Sequence, residues 1–161
     1  MADSVRSSIV ACMAQASKIA VLLVIVILAG ACKEDKKTDR GIPSATITAS
    51  AVADQITVEV KIPEGHHAYL NEGPHGNLIP VAFDWKSAVE SGKLASEPVM
   101  KKSPAGETES LTGALVLKGT GDFIFDSPTS PVGINLRVRT QICNETSGTC
   151  YRPEWQQVTV Q

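Results

Sequence analysis

The sequence predicts an all-β domain, an immunoglobulin-like antiparallel β-sandwich, and three observations carry that prediction. Apolar and polar residues alternate, most plainly where Val58, Val60 and Ile62 interleave with Thr57, Glu59 and Lys61, which is the period of a half-buried strand. Turn signals recur about every ten residues: Pro63-Glu64-Gly65, Gly73-Pro74, Ser91-Gly92 and Gly119-Thr120-Gly121. Short strands at such spacing are the mark of a sandwich, with a small closed barrel as the alternative.

Taken in order, the expected strands lie at 46–51, 55–62, 68–70, 79–85, 94–100, 111–118, 123–125, 132–142 and 154–160. Residues 86–91 are expected to form a single helical turn. Into Cys143 runs the alternation Ile134, Leu136, Val138, with Ile142 just before the cysteine, and it resumes after Cys150 as Trp155, Val158 and Val160. Between the cysteines lies a polar stretch carrying Ser147-Gly148, a turn signal. The expected geometry is an antiparallel hairpin with one sulfur at each side of the turn's mouth. Directly opposed strand residues hold their Cβ atoms roughly 4.5–5.5 Å apart, close to what a disulfide needs.

The N-terminus sets the expected compartment. Residues 1–18 are polar and small, with Arg6 and Lys18, and an unbroken apolar run from Ile19 to Ala31 leads to Cys32. That is the positive start and apolar middle of a secretory signal, and the run is short of the roughly 20 residues of a membrane span. Leu28-Ala29-Gly30-Ala31-Cys32 resembles a bacterial lipobox, with Ala29 where Leu is commonest. The resemblance implies a signal peptide over 1–31 and lipidation of Cys32. An ordinary cleaved signal or an uncleaved anchor is the alternative, and Met13 is a second candidate start. Lys33 follows the cysteine, and by resemblance to enterobacterial lipoproteins this slightly favours the outer membrane.

Residues 32–43 read as the lipidated cysteine and a charged, solvated linker. Residues 44–161 are then one domain's worth of chain, enough for a single core. From Cys32 onward there are 13 basic and 16 acidic residues, a net charge of −3. That balance, with no basic cluster or aromatic platform, excludes a nucleic-acid binder.

An extracytoplasmic cysteine pair is oxidised by default, so Cys143 and Cys150 read first as a structural staple. Cys-x6-Cys is also not the redox spacing Cys-x-x-Cys. Two features favour a switch instead. A bridge across so short a loop restrains the unfolded chain little, and a bridge at a turn's end is placed to be accessible, as labile bridges are. His66, His67 and His75, with the cysteines, could make a thiolate–imidazole metal site. However, the histidines share no helical register, and neighbours on a strand face opposite ways. No metal and no cofactor is expected. Trp85 and Trp155 read as core or rim aromatics.

The run Val58-Glu59-Val60-Lys61-Ile62-Pro63-Glu64-Gly65-His66-His67-Ala68-Tyr69 resembles the opening of the N-terminal periplasmic domain of the DsbD family of transmembrane thiol–disulfide reductases. Cys143 and Cys150-Tyr151-Arg152-Pro153-Glu154 are similar to the same domain's second half, and the likeness spans nearly all of 45–160. It implies an immunoglobulin-like sandwich that takes reducing equivalents from a thioredoxin-like or DsbD-type donor. From there they pass to periplasmic disulfide oxidoreductases, a protein-disulfide reductase activity.

The resemblance also implies site roles. Cys150 would exchange with partners and Cys143 would resolve. His67, Tyr69 and Tyr151 would pack near the pair, and residues 106–113 would form a cap loop shielding the sulfurs, with Glu109 as the nearby acid. His67, facing Cys150, would favour the thiolate. The chain departs from the family pattern in its cysteine spacing, longer by one residue, in Leu111 where an aromatic is expected, and in His67 where a tyrosine is expected. With no transmembrane or thioredoxin-like segment in this sequence, the donor would be another polypeptide. Two other readings stay open: a non-enzymatic binding or assembly module whose hairpin disulfide holds a loop, and a metal chaperone.

Overall fold

A computed structural model describes residues 41–127 and 131–161. The predicted signal peptide, Cys32 and most of the linker lie outside the described residues. Among the described residues, no helix is long and apolar enough to cross a membrane.

Strand β1 (Thr46–Val52) and β2 (Gln55–Lys61) form a hairpin in which Val52 pairs with Gln55. β2 shows why the alternation matters: Ile56, Val58 and Val60 are buried while Gln55, Glu59 and Lys61 are exposed. β3 (His66–Tyr69), β4 (Ala82–Asp84) and one helical turn, α1 (Lys86–Glu90), follow. Next come β5 (Val99–Lys102), β6 (Glu107–Thr108), β7 (Leu115–Leu117) and β8 (Thr120–Asp126). β9 (Asn135–Thr140), β10 (Cys143–Asn144) and β11 (Glu154–Thr159) complete the chain.

The strands form three antiparallel sheets, ordered β1-β2-β8-β5, β11-β9-β4 and β10-β3-β7-β6. The first two face each other, which makes the predicted immunoglobulin-like sandwich rather than a closed barrel. Val58 and Ile56 lie opposite Phe123 and Phe125 in the ladder. Against those rings pack Phe83, 4.9 Å from each, and Trp85, 5.3 Å from Phe125. Leu136 and Val138, fully buried, come from the opposite layer. Burying each such side chain stabilises by roughly 1.5–3 kcal/mol. The C-terminal Gln161 bonds the backbone of Ala49 and Ala51 and ties the two layers at one edge. The small third sheet supplies Ala68 and Leu117 to this core, and its other face carries the cysteine.

Several boundaries differ from those the pattern predicts, each for a physical reason. The expected strand at 79–85 is a regular strand only over β4, because Pro80 forms a single parallel bridge to Tyr69, whose carbonyl takes the Val81 N–H, and Trp85 opens α1. Leu94 is buried but closes the helical turn through its N–H to Ala88 O, so the strand expected at 94–100 starts only at Val99. In the stretch 111–118, Glu109 N–H bonds Ala114 O and Gly113 N–H bonds Glu109 O, which makes a closed turn between β6 and β7. Of the two glycines in the turn signal 119–121, Gly119 has positive φ, whereas Gly121 sits within β8, where a Cβ would come 2.6 Å from Leu117 and from Pro104. The long strand expected at 132–142 breaks after Thr140, and its continuation pairs in another sheet.

At the β1–β2 turn, Ala53 has φ 55°, the one non-glycine with positive φ among the described residues. A Cβ in that region costs roughly 1–2 kcal/mol. Ala53→Gly is therefore expected to raise stability by up to about 1 kcal/mol, allowing for the glycine's greater freedom when unfolded. A urea melt of the variant with a lower midpoint would contradict that.

Candidate functional site

Backbone pairing builds the site. Cys143 and Cys150 form an antiparallel bridge flanked by Asn144 N–H to Thr149 O at 2.9 Å and Tyr151 N–H to Ile142 O at 2.8 Å. Those two bonds make the cysteines a non-hydrogen-bonded pair, in which facing side chains come closest. Their Cα atoms are 3.9 Å apart and the sulfurs are bonded. The hairpin predicted from the sequence is thus present. Asn144 shapes its turn: its Oδ1 accepts hydrogen bonds from the backbone N–H of Thr146 and Ser147, the local bonding for which asparagine is favoured in turns.

The two sulfurs' residues have opposite surroundings. Cys143 is 1 % exposed and packs with Tyr69, Ala114 and Val116. Cys150, by contrast, is exposed. The difference follows from the sheet switch: β10 pairs with β3, placing Cys143 opposite His67, whereas Cys150 stays on the free arm of the turn.

Alternation along β3 sends Ala68 into the core and leaves His67 and Tyr69 on the same outer face as Cys143 and Val116. The turn between β6 and β7 folds onto this face. Its Glu109 lies with Oε1 3.7 Å from His67 Nε2, accepts a hydrogen bond from Thr112 Oγ1, and is hydrogen-bonded to the Tyr69 hydroxyl. Ala114, at the turn's end, packs with Cys143. Glu109 therefore fastens the turn to the floor of the site. Leu111 does not cover the sulfurs; it stands 87 % exposed at the rim.

Between turn and sheet lies a cleft of ≈ 280 Å³ lined by His67, Glu109, Leu111, Val116, Lys118 and Glu145, among others. Lys118 reaches Glu145 at 3.4 Å and Glu107 at 3.7 Å. With three carboxylates against one lysine, the cleft is acidic, and an acidic surround disfavours a thiolate.

The remaining expected residues fall as follows. His66 points away from His67, with Nδ1 2.8 Å from the Glu64 carbonyl and Nε2 3.3 Å from Asn144 Nδ2. Tyr151 packs on the main core, with its ring 6.2 Å from that of His66. His67 lies across the ladder from Cys143, not Cys150. Among the described residues no group of three or more His, Cys, Asp or Glu side chains is placed to hold a metal. Ala114, Val116 and Lys118 belong to the site but carry no signal in the sequence, whereas Thr112 falls within the expected cap loop. Asn144 could have been found from its position ahead of Thr146-Ser147-Gly148.

Burial holds His67 below its ordinary pKa, against the pull of Glu109 and Glu145. Burial also raises Tyr69, helped by the charge of Glu109 and the hydrogen bond to it.

An exposed–buried cysteine pair on the outer face of a small sandwich defines the class: an immunoglobulin-like domain carrying one disulfide on its small third sheet. The chain belongs to the family described as thiol:disulfide interchange protein DsbD, N-terminal, whose model matches residues 42–161. Among solved structures it is similar to the Neisseria meningitidis DsbD n-terminal domain in the reduced form. That likeness has 18 % identity and a TM-score of 0.47 over 70 % of this chain and 81 % of that one. It is also similar to the complex between the DsbD N-terminal and PilB N-terminal domains of the same organism, at 15 % identity and a TM-score of 0.42 over 70 % and 79 %. No curated protein matches the chain.

His67 gives the site a pH signature. Unfolded, its imidazole takes up a proton near 6.5; folded, only at lower pH. Between those values the unfolded chain binds more protons, so stability falls as pH drops through 6.5, and above 6.5 the contribution is fully present. The urea midpoint should therefore drop less between pH 7.5 and 5.5 in His67→Gln than in the wild type. Equal drops would show that the ring is not held neutral by burial.

Proposed function

We propose that this domain is a thiol–disulfide exchange carrier. It passes reducing equivalents between a membrane-bound or thioredoxin-like donor and periplasmic disulfide oxidoreductases. The observation that carries the reading is the asymmetry of the pair, with Cys143 1 % exposed and Cys150 exposed. Exchange needs one sulfur that a partner can reach and a second held back to resolve the mixed disulfide. The reduced domain attacks a partner disulfide through the Cys150 thiolate, and the partner's first thiolate leaves. Cys143 then attacks Cys150, the Cys150–partner bond breaks, and the partner departs as a dithiol. Two electrons have moved, and no cofactor takes part. Membership of the DsbD N-terminal family supports the same reading, as does the complex of a similar domain with the PilB N-terminal domain.

The reduction potential separates this carrier from a binding module with a structural bridge. The full chain carrying Cys12→Ser and Cys32→Ser leaves only the pair in question. Equilibrated in thiol buffers and trapped by mass shift, it is expected between about −180 and −270 mV, the range of working oxidoreductases. A value below about −300 mV marks a structural staple and sinks the carrier.

The proposed site of action is the periplasmic face of a bacterial membrane, with Cys32 lipidated and the outer membrane favoured by Lys33. In a bacterial host fed labelled palmitate, the wild-type chain should take up label and sediment with membranes, and Cys32→Ser should take up none. An unlabelled wild type, or a labelled variant, would remove the anchor.

A further inference from the structure

We propose that His67 is the proton acceptor for Cys143, so that the two cross-strand partners form a cysteine–histidine couple backed by Glu109. This rests on the exchange reading above and assigns its second, resolving half to a named base.

Resolution creates a chemical problem at Cys143. Attack on the mixed disulfide requires a thiolate, yet this sulfur's residue is 1 % exposed among Tyr69, Ala114 and Val116. Apolar burial raises a thiol's pKa. The acidic cleft adds to the difficulty.

His67 is placed to solve it. It is the cross-strand partner of Cys143 on the same face of the ladder, a relation that sets Cβ atoms roughly 4.5–5.5 Å apart. Its side chain is 5 % exposed, and its Nε2 is buried with no hydrogen-bond partner. Buried polar atoms in native proteins are nearly always bonded, so an open one calls for a functional explanation. Burial keeps the ring neutral at neutral pH and thus able to accept a proton. Glu109, 3.7 Å from Nε2, and Glu145 would stabilise the imidazolium once formed. Lys118 and His66 oppose them, Glu107 lines the same cleft, and Tyr69 meets the ring edge-on at 5.2 Å as a neutral phenol.

The step balances. The Cys143 thiol gives its proton to the His67 ring, and its electron pair forms the bond to Cys150 Sγ. The Cys150–partner bond breaks, and the partner's sulfur leaves with that pair. The imidazolium then releases its proton to the departing thiolate or to water.

Stopped-flow mixing of the reduced full chain (Cys12→Ser, Cys32→Ser) with a nitrobenzoate disulfide separates the two halves. The first coloured thiolate reports attack by Cys150, and the second reports resolution by Cys143. General bases typically contribute a hundredfold or more, so His67→Gln is expected to slow the second phase by about tenfold or more at pH 7. The first phase should change less than about twofold. In the wild type the second phase should fall off below about pH 6.5 as the ring protonates. That profile decides the matter even if the variant does not fold. A second phase unchanged in His67→Gln overturns the inference and leaves the carrier standing. So does a wild-type second phase governed only by a thiol titrating near 8.5. A wild type that releases no second equivalent overturns the carrier reading and the inference together.

Discussion

Everything distinctive about this domain depends on one residue with two partners. Cys143 is a rung in the ladder with β3, opposite His67, and at the same time the covalent partner of Cys150 across a hairpin mouth. Strand β9 could have continued beside β11. Instead the chain leaves that sheet after Thr140, and Gln141 holds the gap with its side-chain amide on the Tyr151 carbonyl. That two-residue break turns Cys143 onto the outer face of the small sheet while Cys150 remains on the exposed arm.

Electrostatics and packing then act in opposition. Packing buries Cys143 under a turn whose tether, Glu109, is fixed by Thr112 and Tyr69. The same tether brings negative charge to His67, the residue opposite Cys143. In thioredoxin-like sites a helix N-terminus relieves this conflict. Here the one helix among the described residues is a five-residue turn in the other layer. What the structure puts across the ladder from Cys143 is a buried imidazole, His67, with Glu109 3.7 Å from its Nε2.

On the opposite side, the sandwich is an ordinary scaffold. Arg137 and Arg139 stack on Trp155 at 4.9 and 5.6 Å on the outer face of β9 and β11, and Arg137 also reaches Asp84 at 3.5 Å. Edge strand β5 carries Lys101 and Lys102 and a register shift after Met100, features that blunt an exposed edge against pairing with another chain. These features belong to the two larger sheets, while the disulfide belongs to the third.

By itself the sequence determined the sandwich, because a period of two along strands such as β2 and β8 leaves one face apolar, and only a second sheet can cover it. It determined the hairpin too, since alternation stops at Cys143, a turn follows, and alternation resumes after Cys150. Likeness to a family led to the expectation of His67, Tyr69 and Glu109 near the pair; His67 lies opposite Cys143, Tyr69 packs with it, and Glu109 reaches His67. Only the tertiary structure decided which sulfur is buried, that His67 faces Cys143 rather than Cys150, and that Leu111 stands clear of both. Those facts turn on the break after Thr140 and on a turn closed by Glu109 and Ala114. The break is set by the pairing of Cys143 with His67, 76 positions away in the chain, and the turn, though local in its own bonds, meets the site only because β7 pairs with β3.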